Sequence, residues 1–144
     1  MSSSETSLPA SSAAWDRIEA EEFVQLTTFR RSGEAVRTPV WVVSQGEALL
    51  VTTPAASGKV KRLRHTDRVE LRPCSRRGTV PDGAPTLAGV ATLDTDPGAH
   101  DGVEHLFAEK YRLQYKAAMV VERVVRAVKR SEGTARFIIR ITPA

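Results

Sequence analysis

The chain has 144 residues, 41% of them hydrophobic and 26% charged, which suits one globular domain and excludes a mostly disordered polypeptide. Lys and Arg number 21 against 17 Asp and Glu, a net charge of +4, and the single cysteine, Cys74, excludes an internal disulfide, a thiolate zinc site and dithiol redox chemistry. The apolar runs fall short of the roughly 20 residues that a membrane helix needs. The Ser-rich start lacks the basic and apolar stretches of a secretory signal, so a cytoplasmic protein without a membrane partner is expected.

Residues 1–13 read as a disordered tail on composition, leaving 14–144 as one domain. Phe23 to Phe29, rich in β-branched and aromatic residues, predicts a strand. Ser32-Gly33-Glu34 turns the chain into a second strand, Ala35 to Val43, in which Pro39 must mark a bulge or an unpaired edge because proline has no N–H for a ladder. A turn at Gln45-Gly46-Glu47 leads to a third strand, Ala48 to Thr53, and the two hairpins predict a meander. Ser57 is placed to cap a short helix with Val60 and Leu63 on its inner face. Val69, Leu71 and Pro73 alternate with Arg68, Glu70 and Arg72, the pattern of a half-buried strand. A loop over Gly78 to Pro85 precedes a strand at Leu87 to Leu93, weakened in its middle by Gly89. Two amphipathic helical runs follow, one through Val103, Leu106, Phe107 and Tyr111 and one through Ala117 to Val128. The last strand, Arg136 to Ile141, sets Phe137, Ile139 and Ile141 on one side. The order β-β-β-α-β-β-α-α-β predicts a mainly antiparallel α+β fold, a small barrel with helices outside it.

Charge is concentrated. Lys59 to Arg77 holds eight basic residues and two acidic ones, a local +6, while the remainder of the chain carries −2. A patch of this kind meets an anion or forms a solvated face. Nucleic acid is disfavoured, because the stretch contains no aromatic residue to stack on a base. His65, His100 and His105 lack metal-ligand spacing, so no metal is expected. Cys74, among arginines, has either a lowered pKa or a buried structural role. No G-x-G-x-x-G, Walker loop, H-E-x-x-H or G-x-S-x-G motif is present, and no catalytic side chain is assigned. The strongest local feature is Ser57-Gly58-Lys59-Val60-Lys61-Arg62. A helix start offers free N–H groups and partial positive charge, Gly58 admits close approach to the backbone, and Lys59 and Lys61 add cations. These residue types suit a phosphate, but standing alone they are a weak signal that also describes an ordinary capped helix with a wet basic face.

Three segments together, Leu26-Thr27-Thr28-Phe29-Arg30-Arg31-Ser32-Gly33, Arg37-Thr38-Pro39-Val40-Trp41-Val42, and Ser57 to Arg64 with Arg68 to Cys74, resemble the split β-barrel flavin and deazaflavin oxidoreductases related to pyridoxamine phosphate oxidase. The likeness is greatest to the actinobacterial proteins called PPOX class F420-dependent oxidoreductases, over Glu21 to Tyr115 and, more loosely, the last strand. Ser75 departs from the pattern, standing where related chains often carry Asp. The resemblance implies an FMN-binding-like split barrel, a homodimer with two cofactor sites at the subunit interface, and a small-molecule substrate. It also implies a cofactor phosphate on Ser57, Gly58, Lys59, Val60 and Lys61, with the ring against Thr38, Val40, Thr52 and Thr53. Hydride transfer is the cofactor's own chemistry, which accounts for the missing catalytic set. FMN carries one phosphate, whereas coenzyme F420 carries a phosphodiester and a chain of glutamate carboxylates. A local +6 favours the longer anion, with FMN, or binding without turnover, as the alternative.

Overall fold

A computed structural model describes residues 12–115 and 136–144. The elements are α1 (Ser12–Ala20), β1 (Phe23–Phe29), β2 (Ala35–Val40), β3 (Val43–Gln45), β4 (Ala48–Pro54), α2 (Gly58–Leu63), β5 (Arg68–Cys74), β6 (Leu87–Asp94), α3 (Pro97–Tyr115) and β7 (Arg136–Pro143). The strands form one sheet in the order β2-β1-β5-β6-β7-β4-β3, with every neighbouring pair antiparallel.

Alternation builds the two sides of this sheet. Val24 and Leu26 of β1, Leu49 and Val51 of β4, Val69 and Leu71 of β5, and Ile139 and Ile141 of β7 turn inward to one buried cluster. Trp15 and Ile18 of α1 and Leu63 of α2 close it. The intervening residues Leu50 and Ile138 face the other way and pack with Val43 under Val103, Phe107 and Tyr111 of α3. The final strand is thus apolar on both sides: Ile139 and Ile141 enter the core, Ile138 lies under α3, and Phe137 is half-buried.

Several expectations are corrected. α1 was not foreseen and takes up the last two residues of the expected tail; residues 1–11 and the second helical run, Ala117 to Val128, lie outside the described residues. The strand expected over Ala35 to Val43 breaks at Trp41-Val42 into β2 and β3. The meander breaks with it. β2 pairs with β1 while β4 pairs with β3 and β7, toward the other end of the strand order. Pro39 behaves as its chemistry requires, lying opposite Gln25 on β2, an edge strand. Gly89 is a packing requirement: a Cβ there would lie 2.9 Å from Cγ2 of Ile141 and 3.2 Å from Cγ2 of Val69. β6 approaches its neighbours closely because that residue has no side chain.

α3 is fastened by two consecutive polar side chains. Lys110 Nζ donates to the carbonyls of Val42 at 2.7 Å and Glu21 at 3.0 Å. Tyr111 Oη donates to the carbonyl of Glu22 at 2.8 Å. These bonds satisfy carbonyls at the two places where the chain leaves regular structure, between α1 and β1 and between β2 and β3.

Candidate functional site

β4 delivers Thr53 and Pro54 to a tight turn in which Ser57 N–H donates to the Pro54 carbonyl at 3.0 Å. Ser57 is extended, at φ −69° and ψ 158°, and its Oγ accepts from Val60 N–H at 3.4 Å, so it caps α2. The same oxygen lies 2.7 Å from Thr53 Oγ1, a hydroxyl almost wholly buried. Whichever hydroxyl donates, the couple retains one O–H proton for a further acceptor. When Thr53 donates, that proton belongs to half-buried Ser57.

Arg62 occupies the space beside Gly58. A Cβ on Gly58 would lie 2.7 Å from Nη1 of Arg62, so the missing side chain makes room for a guanidinium. Arg62 Nε donates to Thr28 Oγ1 of β1 at 2.6 Å, which fixes the head across the first turn of α2. Partial burial, and then repulsion by Arg30, hold its pKa below the ordinary arginine value. The β1–β2 hairpin brings Arg30, Arg31 and Ser32 alongside. Arg31 Nη2 lies 3.2 and 3.3 Å from the two ring nitrogens of His65, just beyond α2.

Together Arg30, Arg31, Ser32, Gly58, Lys61, Arg62 and His65 line an open bowl of about 370 Å³. None of the described residues lining it is acidic. The adjacent carboxylate, Glu34, pairs with Arg30 at 3.0 Å where both are exposed, so it offsets little of the bowl's charge. Four cationic side chains on two elements converge on one concavity.

Of the nine residues expected at a cofactor, Gly58 and Lys61 line this bowl. Thr53, Ser57 and Val60 form the hydroxyl couple and cap behind it; Val60 is buried and its N–H is already given to Ser57. Lys59 is half-buried and is not among the described residues lining the bowl. Thr52 is half-buried on β4, opposite Ile138. Thr38 is half-buried on β2, opposite Leu26, and Val40 is a core residue. Arg30, Arg31, Arg62 and His65 were not assigned to a cofactor from the sequence. The signal for the first two was the Arg-Arg pair at the hairpin, outside the stretch whose charge stood out.

The +6 stretch does not converge as a unit. Arg68 stacks its guanidinium 3.8 Å over the Phe29 ring, and Arg72 Nε donates to Thr86 Oγ1 at 2.6 Å, so β5 spends two of its cations on sheet contacts. The Cys74 thiol runs opposite to the activation its arginine neighbours suggested: burial, and then Glu21, push its pKa up to about 11. His105 is exposed on α3, and no group of three potential metal ligands occurs among the described residues.

Neither a family model nor a curated protein matches the chain. Solved structures do. An F420 reductase superposes with a TM-score of 0.56 at 17% identity, covering 90% of this chain and 92% of its own. A pyridoxamine 5'-phosphate oxidase-like protein from Listeria innocua gives 0.56 at 14% identity, covering 91% and 88%. HutZ, a heme storage protein from Vibrio cholerae, gives 0.62 at 14% identity, covering 92% and 89%. The fold is the split β-barrel. In this split barrel, α2 and the β1–β2 hairpin hold the basic bowl at one rim, and α3 covers the sheet on its outer side. No helix among the described residues is long and apolar enough to cross a membrane.

Proposed function

We propose that this split barrel is an oxidoreductase that binds coenzyme F420 and serves hydride transfer to a small electrophilic substrate. The observation that carries the reading is the bowl, in which Arg30, Arg31, Lys61 and Arg62 meet with no acidic lining residue. Cations brought together from two elements, of which Arg30 has an exposed partner in Glu34, repel one another and gain most from an extended anion. F420 offers a phosphodiester and several carboxylates, enough to reach from α2 to the hairpin. The spare hydroxyl proton of the Thr53–Ser57 couple, the Gly58 backbone and the Lys59 and Lys61 side chains hold the phosphate. Thr38 and Thr52, half-buried where Val40 and Thr53 are buried, border the ring, and the assembly is a cytoplasmic homodimer with that ring at the subunit boundary. The bound coenzyme supplies the hydride, so this chain's residues bind, orient and shield it. FMN on the same barrel is the second reading, favoured by the compactness of the Ser57 cap, which suits a single phosphate.

Equilibrium titrations with F420 and with FMN test the choice. Tighter binding of F420, weakened steeply by salt, is expected. Tight FMN binding with no response to F420 overturns the assignment.

A further inference from the structure

A second cavity, of about 350 Å³, opens between α1 and α3, away from the basic bowl. Lys110 lines it together with Leu106 and Leu113 and three carboxylates, Asp16, Glu19 and Glu109. Lys110 is 9% exposed, an unusual degree of burial for a lysine. Its amine has two acceptors, the Glu21 and Val42 carbonyls, at 3.0 and 2.7 Å. A neutral amine has two N–H groups and one lone pair. Donating both hydrogens to fixed carbonyls leaves the lone pair as the remaining tetrahedral position, held in one direction rather than rotating.

We infer that Lys110 is a covalent binding site for an uncharged aldehyde with an apolar body, which enters this cavity and forms an imine with Nζ. The step balances without a further reagent: the Nζ lone pair attacks the carbonyl carbon, a C–N double bond replaces C=O, and the oxygen leaves as water with the two amine protons. Leu106 and Leu113 receive the apolar body, while Asp16, Glu19 and Glu109 repel an anionic one. Burial makes the neutral nucleophile plentiful. It pulls the Lys110 pKa down to about 8, against the opposing pull of Glu19, Glu21 and Glu22. Roughly half the amine is therefore neutral at pH 8, against roughly 1 part in 300 for a lysine at 10.5. The imine nitrogen carries no hydrogen, or one when protonated, so occupancy releases at least one of the two carbonyls and loosens the hold on α3.

The test uses the unmodified full-length protein at pH 8 with benzaldehyde, cyanoborohydride to trap the imine, and peptide mass mapping of early labelling. Nα-acetyl-lysine amide in the same mixture is the reference, because Lys61 lies in the basic bowl, where cofactor and anions gather. Labelling of Lys110 at least tenfold faster than the reference amine is expected, with that preference lost for 4-formylbenzoate, which has the same body and a negative charge. Labelling of Lys110 no faster than the reference amine by benzaldehyde shows a sealed structural clamp and overturns the proposal. An equal preference with 4-formylbenzoate overturns the selection by the three carboxylates. Neither result depends on which cofactor the barrel binds.

Discussion

Arg62 lies beside Gly58 and is fastened to Thr28, so an anion held at the first turn of α2 meets its guanidinium as well as the backbone. That geometry gives the residue a role the sequence pattern did not assign. Replacing Arg62 with Ala removes a half-buried cation with a fixed direction, and F420 affinity should fall about tenfold in a direct titration. Lys59→Ala and Lys61→Ala form a matched pair. Lys61 lines the bowl and Lys59 does not, so the Lys61 variant should lose more affinity; the reverse order would move the phosphate to the other side of α2. Gly89→Ala is argued from packing alone. The new methyl would meet Ile141 and Val69 inside their normal contact distance, and chemical denaturation should show a loss of about 1–3 kcal/mol.

At the scale of elements, α3 is held on the sheet by buried apolar contacts and by the Lys110 and Tyr111 clamp. Tyr111→Phe leaves the Glu22 carbonyl without that donor and should cost about 1–3 kcal/mol in denaturant melts. Lys110 makes stability depend on pH with a definite sign. Its folded pKa, about 8, lies below the ordinary 10.5, so between those values the unfolded chain binds more protons and stability rises with pH. The gain is at most about 3 kcal/mol. Cys74 slopes the opposite way between 9.0 and about 11, its thiol being raised, so the measurement belongs in a Cys74→Ser background. A rise in denaturation midpoint from pH 8 to 10.5 that disappears in Lys110→Met is the expected result. The elements themselves were unevenly legible. Alternation marked β5 because it has one apolar face, and Ser57 marked the start of α2 because capping is local chemistry. α1 was missed although Trp15 and Ile18 stand one helical turn apart, since its nine residues are too few to declare a period. The break between β2 and β3 was invisible because Trp41 and Val42 have strand propensity; they bend where Lys110, far along the chain, takes the Val42 carbonyl.

For the molecule as a whole, the antiparallel α+β barrel could be read from residue order, but the connection between its hairpins could not. That connection depends on which strand edges find partners, and β4 finds β7, contributed by the end of the chain. The candidate site was partly readable for the same reason. Its α2 half is contiguous in sequence, whereas its hairpin half, Arg30 and Arg31, joins only through the fold. The basic stretch from Lys59 to Arg77 suggested one long patch, yet a strand cannot point every side chain the same way, and Arg68 and Arg72 went to Phe29 and Thr86. What converges is a smaller and more directional set of cations, suited to a ligand with anionic groups along its length. The most direct measurement is a fluorescence titration of the protein with intact F420 beside the same deazaflavin ring stripped of its phosphodiester and glutamates. Intact coenzyme should bind at least a hundredfold tighter at low salt, with the gap closing as salt rises. Equal affinity for the two would mean that the ring alone is recognised and that the basic bowl plays no part in holding it.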